Sequence, residues 1–184
     1  MADVTMGKIT QINLGDRFIP CNIVLPLTTK MSANFTLAEM VDPTINELIL
    51  YPLLLTVIQE ARTRSGCAIQ TTNGLSWYRG YEYNKAIGGS PTSLHLVGGA
   101  TDSKWYYGGY GGVQIHPIHC AYIMQEISKE YGLNCELGVY LSGYDGSATL
   151  GYLHYAITQG DNYWYYFDKK GIKHEVKSLT QIAL

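Results

Sequence analysis

The chain has 184 residues, 46% of them hydrophobic, which is enough for one well-buried core and short for two. Its 13 basic and 15 acidic residues form no long run of either sign and give a formal charge of -2, which argues against nucleic acid or an anionic membrane as the main partner. No apolar stretch reaches the length of a membrane span, and Met1 to Lys8 lack the charged-then-apolar layout of a secretory signal, so a protein made in a cytoplasm and remaining soluble is expected.

In chain order, Ile9 to Leu14 and Phe18 to Leu25 alternate as two strands joined across Gly15-Asp16. This predicts an N-terminal hairpin or arm over residues 1–30, with the main domain over 31–184. Thr36 as N-cap, Glu39 as its capping-box partner and the staple pair Phe35 and Met40 predict a short helix. A longer helix opens at Pro52, buries Leu54, Val57, Ile58 and Ala61, and stops at Gly66. Cys67 to Thr71 reads as a short buried strand. The stretch from Asn73 to Gly112 is rich in glycine, serine and aromatics and shows no long periodic element, which marks it as the loop-rich region where sites tend to sit.

A second helix is predicted from Pro117 to Tyr131, with Cys120, Ile123, Met124, Ile127 and Tyr131 on one stripe and Gly132 as its stop. Three strands follow, Glu136 to Ser142, Tyr152 to Gln159 and Tyr163 to Phe167, the last two joined by a tight turn at Gly160-Asp161-Asn162. Helices preceding a mainly antiparallel sheet and packed on one of its faces make an α+β fold. Cys21, Cys67, Cys120 and Cys135 form no C-x-x-C pair and read as buried free thiols. The excess of 16 tyrosines over 3 phenylalanines suits strands with one wet face, a ring-lined groove or a contact surface.

The segment Ser93-Leu-His95-Leu-Val-Gly98-Gly99-Ala100-Thr101-Asp102 carries the chemistry. A histidine and an aspartate seven apart point to opposite faces of a straight strand, so both reach one metal ion only if the chain bends between them, which Gly98 and Gly99 permit. These residues fit S-x-H-x-x-G-x-A-x-D at every fixed position and resemble the zinc motif of the D-alanyl-D-alanine carboxypeptidases and the related phage L-alanyl-D-glutamate endopeptidases. Upstream, Thr36 to Met40, Pro52 to Arg64, Cys67 to Thr71, Arg79, Asn84 and Gly88-Gly89 follow in the order that the family shows. The similarity covers about residues 33 to 158.

The resemblance implies a zinc site at the sheet with His95 and Asp102 as ligands, His154 as the third, and a coordination place left for water. It implies that Arg79 holds the substrate or steadies the oxyanion, although its surroundings, Leu-Ser-Trp-Tyr-Arg79-Gly-Tyr, depart from the family's usual sequence. The family commonly has an acidic residue three positions before the last histidine ligand, as the base; here that position is Gly151. Asp145 is the nearest upstream substitute, with Glu82 and Glu136 behind it. His116 and His119 read as capping or exposed residues at a helix start rather than ligands.

Two functions follow as expectations. One is a zinc peptidase cutting peptidoglycan stem peptides, as a phage lysis protein or cell-wall remodelling enzyme. The other, left open by Gly151, is a weakened or inactive peptidase-fold module of a phage virion, docking to virion components or to itself through the N-terminal arm. A metal-free scaffold is the remaining reading.

Overall fold

The computed structural model of the chain describes residues 5–42, 44–71, 77–142 and 150–182. It divides into two compact units, Met1–Gln59 with Thr71–Thr101, and Glu60–Gln70 with Asp102–Leu184.

In the first unit, β1 (Met6–Asn13) and β2 (Phe18–Pro26) form the predicted antiparallel hairpin, turning through Gly15, whose N–H donates to Asn13 Oδ1 at 2.7 Å. The hairpin does not end the sheet. β3 (Glu47–Leu50) pairs parallel with β1 on its other side, so the segment read as an N-terminal arm shares the three-stranded sheet β2-β1-β3. Glu47 followed by only three apolar residues carries no period from which to read a strand, which is why the sequence does not announce β3.

The expected helix at Thr36 is a single 3-10 turn, Leu37–Glu39, closed by its capping box: Glu39 Oε2 accepts from both the backbone N–H and the hydroxyl of Thr36 at 2.8 Å. Phe35 and Met40, the staple pair, are fully buried. Helix α1 (Pro52–Ser65) matches its predicted span and stops at Gly66, which has φ of 63°. Leu37, Leu48, Leu54, Val57, Ile58 and Trp77 join Phe35 and Met40 in the core, and Phe35 meets Trp77 edge-on at 5.7 Å. Burial of each large apolar side chain stabilises the fold by about 1.5–3 kcal/mol, as an upper figure.

The larger sheet contains β4 (Ala68–Thr71), β5 (Ala100–Tyr107), β7 (Asn134–Tyr140), β8 (Leu153–Thr158), β9 (Tyr163–Phe167) and β10 (Lys173–Val176), in the order β10-β9-β7-β8-β5-β4, and β6 (Val113–Gln114) pairs with β5. Within the glycine-rich stretch that showed no long element lie α2 (Tyr81–Ala86) and β5. The first four residues of β5 are buried without alternation, so the strand leaves no period-2 signal in the sequence.

The α+β class holds, but the sheets are mixed rather than mainly antiparallel, since β1 with β3 and β7 with β9 run parallel. A second correction concerns β8 and β9, which do not pair across the Gly160 turn; β7 lies between them. Asn162 Oδ1 accepts the N–H of Cys135 at 2.8 Å, which ties the Gly160 turn to the start of β7.

Helix α3 (Pro117–Glu130) packs on β7 and β8 through Cys120, Met124 and Ile127, while Tyr131, predicted on the same stripe, is exposed. Ser128 Oγ meets Tyr155 OH at 2.9 Å within that layer. Leu137, Val139, Leu153, Tyr155 and Ile157 are buried, and strand alternation puts Glu136, Gly138, Tyr140, His154 and Ala156 on the other face of the sheet. No helix among the described residues is long and apolar enough to cross a membrane.

Candidate metal centre

His95 sits in a buried 3-10 turn, Leu94–Val97, that ends at Gly98 in the left-handed region, with φ of 70°. The N–H of Gly98 donates to His95 O at 3.2 Å and that of Gly99 to Leu94 O at 2.9 Å, the paired bonds of a Schellman stop. A Cβ on Gly98 would lie 2.0 Å from Ile49 O, so this glycine is required twice over, for its φ and for the close approach. The bend predicted from the glycine pair therefore falls on Gly98. Two residues later the chain enters β5, of which Asp102 is the third residue.

Asp102 and His154 meet across the sheet, with Oδ1 2.7 Å from Nδ1. One ligand atom from each of His95, Asp102 and His154 lies within 4.8 Å of the others. The three form a candidate metal-binding triad. Their exposures are 1%, 7% and 9%, so the Asp102 carboxylate is largely removed from water, at a cost that pairing or a cation must offset.

His95 Nδ1 lies 2.8 Å from Trp77 O. A carbonyl only accepts, so the ring donates from Nδ1 and keeps its lone pair on Nε2, the atom suited to ligation. Two imidazoles and a carboxylate are a donor set that suits zinc with an open position, and also the facial triad of iron(II).

The segment holding Arg79 runs beside this histidine. The N–H of Arg79 donates to His95 O at 3.2 Å, and the next residue, Gly80, donates to the fully buried Asp42 carboxylate at 2.7 Å. Asp42 had no signal in the sequence beyond its place before Pro43. Asn84 and Gly89, which follow Arg79 in the family-like order, pack together: Asn84 is 2% exposed, donates to Ser90 O at 2.9 Å, and leaves no room for a side chain at Gly89.

Two residues on the face of His154 complete the surroundings. Glu136 Oε1 lies 3.7 Å from His154 Nε2. Gly138 is the ladder partner of both His154 and Tyr165, and a Cβ there would stand 2.6 Å from the Tyr165 hydroxyl, so the missing side chain lets the phenol lie across β7 beside His154. Burial, then the neighbouring Tyr140 and Glu136, push the Tyr165 phenol well up, and it stays a neutral donor. Tyr140 stacks on Tyr152 at 4.1 Å and on Phe167 at 4.6 Å. The period-2 run Tyr163, Tyr165, Phe167 was the available sequence signal for this aromatic face.

The remaining candidate bases, histidines and cysteines fall as follows. Asp145 lies outside the described residues. Glu82 is exposed in the first turn of α2. A Cβ on Gly151 would lie 1.9 Å from Tyr140 O, so the position where the family places its acid has no space for a side chain. His116 caps α3, its Nδ1 accepting from the Ile118 N–H at 3.3 Å, as the capping reading requires. His174 pairs with Asp168 at 3.1 Å and stacks on Tyr166. All four cysteines are free; Cys67, Cys120 and Cys135 are buried, and burial raises the Cys120 and Cys135 thiols, while Cys21 is half-buried.

No protein-family model, curated protein or solved structure matches this chain.

Proposed function

We propose that the chain is a zinc metallopeptidase that hydrolyses bonds in the stem peptides of bacterial peptidoglycan. The observation that carries this reading is the meeting of His95, Asp102 and His154, residues spread over 60 positions of sequence, with ligand atoms mutually within 4.8 Å. The family-like spacing around them supports the substrate class. When bound, zinc supplies Lewis-acid polarisation of the scissile carbonyl and activation of water. His95 and His154 present ring nitrogens, and Asp102 brings the negative charge that favours a dication in a site shielded from water. Arg79, whose backbone is bonded to that of His95, is assigned to the negative charge that develops on the substrate oxygen. Asp145 is assigned as proton acceptor on its sequence position alone.

A second reading is favoured by Gly151. With no room for a carboxylate there, the chain lacks the family's base at its usual place, as a weakened or inactive module of a phage virion would. The two readings separate on one experiment, the release of new amino groups from purified peptidoglycan by the zinc-loaded protein and its His95→Ala variant. Turnover lost in the variant supports the peptidase. Bound zinc without turnover supports the virion module.

A further inference from the structure

The two nitrogens of His154 face different carboxylates. Nδ1 lies 2.7 Å from Asp102 Oδ1, and Nε2 lies 3.7 Å from Glu136 Oε1. The 2.7 Å separation is that of a hydrogen bond in the metal-free chain, and two donors on one tetrahedral ion, with bonds near 2 Å, stand about 3.3 Å apart, so a small opening of the pair admits an ion between them. Asp102, the Nδ1 edge and the ion therefore belong on one side of the ring. Glu136 is on the other.

This placement bears on what Glu136 does. A general base has to reach the open coordination place, on the ion's side of the imidazole. Glu136 addresses the opposite edge. A metal-ligating histidine commonly donates its second ring N–H to a carboxylate, which fixes the tautomer, holds the ring and raises the basicity of the ligating nitrogen. Strand register supplies the partner here: Glu136 on β7 stands opposite Ala156 on β8, two residues along from the Gly138–His154 pair and on the same face of the sheet.

We propose that Glu136 is the positioning residue of His154, moving in from 3.7 Å, which is ion-pair rather than hydrogen-bond distance, to accept the Nε2 proton so that Nδ1 is the ligand atom. The inference rests on the metal reading above and deepens it. His95 is then held in the opposite sense, from Nδ1 by Trp77 O with Nε2 as its ligand atom, so the two histidines of the triad use different nitrogens. Neither Glu136 nor its role follows from the motif, because the residue lies 18 positions before His154 and on a different strand.

The test measures zinc affinity by competition with a chromophoric chelator for the wild type, Glu136→Ala and Glu136→Gln, with imidazole nitrogen shifts of His154 recorded in the zinc-loaded protein. The expected result is a loss of about 10–100-fold in affinity for Glu136→Ala and a smaller one for Glu136→Gln, whose amide oxygen still accepts. The wild-type shifts are expected to show Nε2 protonated and Nδ1 bound. Unchanged affinity in Glu136→Ala overturns the proposal, as does a loaded wild type with metal on Nε2 of His154. A wild type that takes up no zinc overturns the metal reading itself, and this inference with it. Melting of the metal-free variants separates a folding defect from a weakened site, because an affinity loss through positioning leaves the metal-free melting temperature in place.

Discussion

Substituting each glycine of the pair at 98 and 99 with alanine tests how the chain brings His95 and Asp102 together. Gly98 has φ of 70°, a region that costs an L-residue about 1–2 kcal/mol. Its Cβ would also stand 2.0 Å from Ile49 O, a backbone atom that cannot turn aside, and such overpacking adds about 1–3 kcal/mol. The expected penalty for Gly98→Ala is the sum, about 2–5 kcal/mol, a large share of an ordinary stability of about 5–15 kcal/mol. For a chain of this size each kcal/mol lowers Tm by roughly 2–4 °C. Gly99 has no positive φ, and its Cβ would meet nothing nearer than Leu94 O at 3.5 Å, so Gly99→Ala is expected to be tolerated within about 0.5 kcal/mol. Denaturant unfolding of both variants, with zinc binding measured alongside, reads the difference. Equal stability of the two variants would refute the reasoning, because chain bending would then not depend on Gly98.

Gly138→Ala should destabilise by about 1–3 kcal/mol through its clash with the Tyr165 ring, and a double-mutant cycle with Tyr165→Ala should recover most of that cost; an unchanged penalty would rule out the contact. Gly151→Glu, which puts an acid where the peptidases that the motif resembles carry theirs, should lower Tm rather than create activity, since even its Cβ runs into Tyr140 O; a stable variant with raised turnover would contradict this packing. Cys120 and Cys135 have thiols raised by burial, so they remain protonated when folded while the unfolded chain ionises from the ordinary value of 9.0. The stability they contribute is thus full below that value and declines as pH rises beyond it, because the unfolded chain then gives up protons that the folded chain keeps. Denaturant unfolding of wild type and of a Cys120→Ala, Cys135→Ala variant, compared below and above that value, checks the slope, and parallel pH profiles would count against it.

The parts of the fold that the sequence made legible are those whose signal is local. The capping box at Thr36 and Glu39, the α1 span from Pro52 to Gly66, the α3 stripe of Cys120, Met124 and Ile127, and β9 at Tyr163–Phe167 each depend on residues a few positions apart. What escaped depends on partners distant in sequence. β3 is a strand because β1 offers it an edge, and β5 is buried with no alternation to betray it. The parallel pairing of β9 with β7 joins residues 27 apart in sequence, among them Glu136 with Tyr163 and Leu137 with Trp164, and no local pattern announces it. At the candidate site, His95 and Asp102 were legible through a motif with a bend built into it, and His154 through the resemblance. Glu136 was named only as a weaker candidate base and Tyr165 not at all, since only the β7–β8–β9 register places them beside His154.

The claim on which the rest depends is that His95, Asp102 and His154 hold one metal ion. Metal content of the purified wild type and of Asp102→Asn, measured by elemental analysis after dialysis against equal zinc and iron(II), tests it directly. The reading calls for one zinc per chain in the wild type and a large loss in Asp102→Asn, with the fold retained by circular dichroism. A wild type that retains no metal, retains iron in preference, or keeps its zinc in the Asp102→Asn variant would contradict it.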